Sequence, residues 1–291
     1  MNVTLLGTSS AEGWPALFCR CQACVLAQKL GGKNIRTRSS AIIDGVLKID
    51  FPPDIHAQCI KNDLDLGALE AVLFTHGHDD HCAGAEIQYR GKYFVEDQHA
   101  QELPLYGSQD VLDKILTAFH TDPDGSYDHS LYPVTLNTLH VWEQAIVAGY
   151  KVTPIAANHD HSRECYNFLI EDRAGTVLLY ATDTGWYSED TWRRLSHYHV
   201  DAAVIECSKG FEDGGYEGHL GIRQVVAFRQ KLIDVGVMSP DAPCVTTHMS
   251  HLSGVMHDEL DAWFKPYGIA AGYDGMAFRV TINSAVSVLS V

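Results

Sequence analysis

Residues 75–81 read Thr-His-Gly-His-Asp-Asp-His and directly follow the apolar run Ala71-Val72-Leu73-Phe74. A short apolar run bounded by polar residues reads as a buried strand. A segment with three histidines and two aspartates at the end of such a strand is not explained by packing. The spacing His76-x-His78-x-Asp80-His81 puts two imidazoles on one side of an extended segment, and a turn can aim Asp80 and His81 at a neighbouring position. Imidazole mixed with carboxylate suits Zn, Mn or Fe. A solvated loop with Asp80 capping the next helix would account for a lone pair of histidines, but not for this six-residue pattern.

Other polar residues also fall just after strand-like runs. His159 follows 150–157, Asp183 follows 176–182 and His248 follows 243–247. Ligands brought from distant segments to strand ends are what a sheet-built site requires. Further strands are expected at 3–7, 40–51 (a hairpin through Asp44-Gly45), 92–96, 134–142, 166–172, 201–208 and 275–282. Helices are expected at 22–30, 80–90, 109–119, 189–197, 219–234 and 254–265. Strands with helices between them imply two packed sheets with helices outside. The 291 residues are read as one domain, with 119–133 a polar, turn-rich loop or lid. The tail 283–291 is either an edge strand or loose.

Composition narrows the function. The formal net charge is -16, which argues against broad nucleic-acid binding because that needs a basic patch to replace counterions. No apolar stretch reaches the roughly 20 residues of a membrane helix. The N-terminus reads as a first strand and not as a signal peptide, so a cytoplasmic location is expected. Five of the eight cysteines are scattered and read as small core residues. The other three form Cys19-x-Cys21-x-x-Cys24. Three thiolates this close make a short zinc knuckle at 19–24 that needs one more ligand. His251, three residues past His248, supplies it.

The His-x-His-x-Asp-His motif and the ordered later residues resemble the metallo-β-lactamase fold superfamily over nearly the whole chain. The resemblance implies an α/β protein, an αββα sandwich of two mixed sheets with outer helices. It implies that His76, His78 and His159 hold one divalent metal and Asp80, His81 and His248 a second, both Zn or Mn, with Asp183 bridging. His161 is the rival to His159. Asp50 matches an aspartate that supports the site in the family. His78, where di-iron redox members tend to carry a carboxylate, points to the hydrolytic branch.

The cysteine knuckle, "LLGTSSAEGWP", "ECSKGFEDGGYEGHLG" and "GYDGMAF" resemble one subfamily, the phosphodiesterases that open phosphoribosyl 1,2-cyclic phosphate in phosphonate breakdown. That implies a small phosphorylated substrate, a metal-bridging hydroxide as nucleophile with Asp80 orienting it, His219 as general acid, and a homodimer. Arg163, His161 and Lys209 are candidate phosphate contacts. The chain departs from the subfamily near 29–37, 119–131 and 234–243, and its loop after His159 is longer. Rival readings are a tRNA 3′-processing endoribonuclease, a thioester or lactone hydrolase, and a non-hydrolytic protein resembling the pyrroloquinoline quinone pathway member.

Overall fold

The computed structural model describes residues 1–96, 101–211 and 214–282, and the backbone of 287–288. Fifteen strands form two sheets. The first runs β15 (Ser287–Val288), β14 (Met276–Arg279), β1 (Asn2–Gly7), β2 (Ser40–Ile43), β3 (Leu47–Ile49), β4 (Ala71–Leu73), β5 (Leu103–Gly107), β6 (Val134–Thr138). The second runs β13 (Ile269–Ala271), β12 (Cys244–Thr247), β11 (Ala202–Glu206), β10 (Val177–Ala181), β9 (Tyr166–Glu171), β8 (Tyr150–Ala156), β7 (Ala145–Val147). Each sheet is mixed: β3 to β6 are parallel, as are β10 to β13, and the remaining neighbours are antiparallel.

The period-2 alternation of strand side chains divides the apolar residues among three interfaces. Ala41, Ile43, Leu47 and Ile49 meet Phe168, Ile170, Leu178, Tyr180 and Val204 between the sheets. Ile42, Val72, Phe74 and Leu105 face outward and pack on Ile55, Ile87, Val111, Leu112 and Ile115. These come from helices α2 (Ile55–Asn62), α3 (Gly84–Ile87) and α4 (Gln109–Leu116). On the far side, Leu179, Ala181, Ala203 and Ile205 share a cluster with Trp192, Leu195, Val225, Phe228, Leu260 and Phe264. Those belong to α5 (Glu189–Leu195), α6 (Ile222–Asp234) and α7 (His257–Phe264), with Ala27 of α1 (Gln22–Leu30) added. The result is the expected αββα sandwich. With both faces covered, the strands read as near-continuous apolar runs.

Several expectations need correction. Lys92–Glu96 is a turn and not a strand, with Tyr93 and Phe94 exposed. The strand beside β4 is Leu103–Gly107, whose proline concealed it; Pro104 precedes Leu105, where pairing with β4 begins. Strands β7 and β13 and helix α2 were not anticipated. The helix expected over 80–90 shrinks to α3 and a 3₁₀ turn, because residues 78–83 are folded back on themselves by His81 and Cys82 N–H bonds to the His78 carbonyl. The stretch 119–133, expected as a surface loop or lid, is a turn-rich loop pinned at the end of α4. Phe119 stacks on Tyr132 at 4.2 Å between centroids, and the Tyr127 hydroxyl donates to the Val134 carbonyl. In the tail, Ser287–Val288 pairs with β14, while residues 283–286 and 289–291 lie outside the described residues. Among the described residues no helix is long and apolar enough to cross a membrane.

A buried cation locks the two ends of the chain together. The Arg36 guanidinium donates to Thr8 Oγ1 and to the Gly272 carbonyl, both at 2.7 Å, and lies 3.2 Å from His257 Nδ1. Thr8 in turn donates to Asp274, which also accepts from Thr37. Removing one member of a buried charged network strands the others without partners and typically costs about 3–5 kcal/mol. Arg36→Met should lose stability of that order in urea unfolding. A midpoint equal to the parent's would show that the network contributes little.

Candidate metal centre

The site lies where the two sheets meet, along one edge. Strands β3 and β4 are parallel, β10 to β12 are parallel, and β8 is antiparallel to β9, which is antiparallel to β10. Their C-terminal ends therefore share an edge within each sheet. Asp50 follows β3, His76 to His81 follow β4, His159 follows β8, Asp183 follows β10, Glu206 ends β11 and His248 follows β12. Asp50, Asp183 and His248 all have left-handed backbones, with φ of 59°, 48° and 56°. Non-glycine residues adopt this region uncommonly, and where they do so at functional sites the surrounding structure enforces it.

Two groups of donor atoms converge. His76 Nε2 lies 2.8 Å and His159 Nε2 3.2 Å from His78 Nδ1. In the second group His81 Nε2 lies 3.1 Å from Asp80 Oδ2, and His248 Nε2 lies 3.5 Å from Asp80 and 3.4 Å from His81. Asp183 stands between them: Oδ2 is 2.5 Å from His81 and 3.7 Å from His76, and Oδ1 is 3.1 Å from His248. All seven predicted residues are brought together, His76, His78 and His159 in one group and Asp80, His81, Asp183 and His248 in the other. His161 is exposed and belongs to no such group.

Each histidine's other ring nitrogen is held by protein. The Asp50 carboxylate accepts from His81 Nδ1 at 2.7 Å and from the Thr75 hydroxyl, whose oxygen lies 3.0 Å from His76 Nδ1. One fully buried aspartate thus orients ligand candidates of both groups. Lys48, also fully buried, donates to the Asp50 carbonyl at 2.6 Å; burial, against the pull of Asp50, drops its pKa to about 7. His159 Nδ1 donates to the Gly218 carbonyl, His248 Nδ1 to Ser208 Oγ, and His78 Nε2 faces Asp160 at 3.3 Å. This tethering fixes the inward nitrogens as donors of lone pairs. Burial and the neighbouring histidines hold His76 well below its ordinary pKa, in the neutral form that ligates. Burial would raise Asp80 and Asp183, but the surrounding histidines hold both well below the usual carboxylate range. Crowded imidazole and carboxylate donors with their outward atoms tethered fit two divalent cations.

His219 lies beside these groups. Its Nδ1 is 2.8 Å from Glu206 Oε1 and 3.5 Å from Asp183 Oδ1, and its ring stacks on His248 at 5.6 Å. Burial alone would lower His219, but Glu206, helped by Asp183 and Asp80, raises it to about 9. Glu206 is fully buried and also accepts from the Thr184 and Ser208 N–H groups and the Ser208 hydroxyl. Sequence reasoning missed Glu206, Lys48 and Ser208, each of which looks like an ordinary strand residue or flank. The one signal was Glu206 in an otherwise apolar run, "AAVIEC".

The groups open into a cleft of ≈ 850 Å³ whose wall includes Glu12, Lys209, Phe211, Tyr216 and Leu252. Lys209 is the one Lys or Arg among the described residues lining it. Arg163 does not line it; its Nε donates to Asp160 at 2.8 Å. A separate cluster joins Cys19, Cys21, Cys24 and His251. His251 Nδ1 is 3.5 Å from Cys21 Sγ and 3.8 Å from Cys19 Sγ. The Cys24 N–H, followed by His251, lowers Cys21 to about 6, and burial raises Cys24 to about 11. Three sulfurs and one imidazole at the start of α1 form a donor set of the kind that closes around zinc.

Comparison with known proteins places the arrangement. A diphosphatase from the PhnP family superimposes with a TM-score of 0.75 at 22% identity, over 96% of this chain and 98% of that one. Zn²⁺-bound PqqB from Methylobacterium extorquens gives 0.72 at 21%, over 96% and 100%. In sequence, 126 residues are 32% identical to an octanoyltransferase of Porphyromonas gingivalis, covering 41% of this chain and 23% of that protein. The chain thus spans about a quarter of that relative's length. The beta-lactamase superfamily domain matches residues 46–253, a span that runs from β3 through β12 and so holds every residue of the two converging groups. The chain belongs to the beta-lactamase superfamily, and its two-sheet sandwich is the metallo-β-lactamase fold.

Proposed function

We propose that the chain is a binuclear metal-dependent phosphodiesterase acting on a small cyclic phosphate ester of the phosphoribosyl 1,2-cyclic phosphate kind. The observation that carries this reading is the place of Asp183, between two imidazole groups and beside the Glu206–His219 pair. His76, His78 and His159 would hold one cation, Asp80, His81 and His248 the other, and Asp183 both. When bound, two divalent cations supply an acidified water and neutralise charge on phosphoryl oxygens. Asp80 orients the attacking water. His219, kept protonated by Glu206, gives a proton to the leaving alkoxide. Lys209 adds a positive charge for a phosphoryl group. His161 and Arg163, one exposed and one paired with Asp160, are left without a substrate role. Cys19, Cys21, Cys24 and His251 would hold a structural zinc.

The fold is shared with proteins that do other chemistry, so the site must decide. A net charge of -16 and a single cation on the cleft wall suit a small substrate better than RNA. A non-hydrolytic role in cofactor synthesis, as the likeness to PqqB suggests, gives the Glu206–His219 pair no task. Turnover of bis-p-nitrophenyl phosphate and of a ribose 1,2-cyclic phosphate, with Mn²⁺ or Zn²⁺ added, tests the proposal. Two bound metals per site with no phosphodiester turnover would overturn it in favour of the non-hydrolytic reading.

Three variants sharpen the test. His219→Ala should lower kcat by about 10²–10⁴, the usual worth of a general acid, while metal content measured by mass spectrometry stays at the parent's value. Glu206→Gln removes the charge that raises His219, so the acid should lose its proton at lower pH. The alkaline limb of the pH–rate profile should move down; an unmoved limb would assign it to another group. Asp50→Ala frees the outward nitrogens of His81 and, through Thr75, of His76. Loss of such a partner weakens metal binding about 10–100-fold, readable by competition with a chelator.

A further inference from the structure

We infer that Glu12 is a positioning residue that ties the cysteine cluster to the wall of the substrate cleft. Its carboxylate faces both. Glu12 Oε1 lies 3.6 Å from His251 Nε2, the ring nitrogen opposite the one that faces Cys19 and Cys21. At this distance the contact is an electrostatic approach and not a hydrogen bond; a carboxylate facing the second nitrogen of a ligand histidine favours one ring orientation. The same carboxylate accepts from the Ser10 hydroxyl at 2.9 Å and from the Ser250 hydroxyl. Ser10, Glu12 and Ser250 all line the cleft beside His248. Ser250 also caps the short 3₁₀ turn that carries His251, accepting from the Leu252 N–H.

His248 and His251 are three residues apart on one connected segment, one turned to the metal centre and one to the cysteines. Glu12 reaches that segment from the N-terminal loop, ahead of the cysteines themselves. Seating a cation among Cys19, Cys21, Cys24 and His251 therefore fixes the His251 ring, and through Glu12 the two serine hydroxyls on the cleft wall. Two hydroxyls and a carboxylate are groups that recognise the hydroxyls of a sugar. The cluster should accordingly set how well substrate is held, and not how fast it reacts. The part about substrate rests on the function proposed above; the link between Glu12 and His251 does not.

The test uses the full chain with Co²⁺ loaded in the cysteine cluster. Glu12→Ala and Glu12→Gln should each release the ion to a chelator faster, by about 10–100-fold for the alanine variant and less for glutamine, which keeps an acceptor for the serines. The thiolate-to-cobalt absorption should shift in both variants, and the dinuclear site should keep its metals. With the cyclic phosphate, KM should rise roughly 3- to 10-fold, as for loss of a hydrogen bond, with kcat little changed, the mark of lost ground-state binding. Cys21→Ser should raise KM in the same way. A release rate and spectrum equal to the parent's in both Glu12 variants would overturn the link to the cluster. An altered spectrum with unchanged KM would overturn the coupling to the cleft. A parent protein that binds cobalt through its thiolates but hydrolyses no phosphodiester would count against the proposed function alone, since the release rate still reads the Glu12–His251 contact.

Discussion

The structure turns on a problem of charge and burial. His76, His81, His159, His248, Asp80 and Asp183 are all at most 8% exposed, and their inward atoms crowd to within hydrogen-bonding distance of one another. Groups of this kind are costly to bury unless paired or bound to metal. The molecule meets the cost from outside inward: Asp50, Thr75, Ser208 and the Gly218 carbonyl each take an outward ring nitrogen. Single groups around the donor histidines serve twice. Asp50 serves both donor sets, and Ser208 both accepts from His248 and donates to Glu206, the partner of His219. The two donor groups and the Glu206–His219 pair are thereby one connected network.

Much of this was legible in the sequence because the donor residues sit in local patterns. His76 to His81 form a motif, and His159, Asp183 and His248 each end an apolar run. The positions of strands β8 to β12 along the chain followed from the same runs. What the sequence hid was what depends on distant contact. Glu206 and Lys48 lie within or at the end of apolar strands, and only the folded chain shows that one aims at His219 and the other at the backbone of Asp50. The error at Lys92–Glu96 has a similar origin. Its aromatic and β-branched residues favour a strand, but no neighbouring edge takes them, and the place beside β4 goes to a segment with a proline in it. The choice of His159 over His161 came from its position next to the strand, and geometry agrees: two residues further on, the chain has already left the cleft.

The fold divides labour between layers. The three apolar clusters fix the sheets, while loops at the strand ends supply nearly all the cleft. The stretch 119–131 packs at the end of α4 and does not line the cleft. Charge is likewise local. The protein as a whole is strongly acidic, yet Lys209 and the two proposed cations would make the cleft itself attractive to a phosphate.

The left-handed backbones of Asp50, Asp183 and His248 have one more implication. Each such conformation costs about 1–2 kcal/mol for an ordinary residue, and here protein contacts enforce it. A glycine would adopt these three backbones more easily than the residues present, so the chemistry of the side chains, and not backbone ease, accounts for an aspartate or a histidine there.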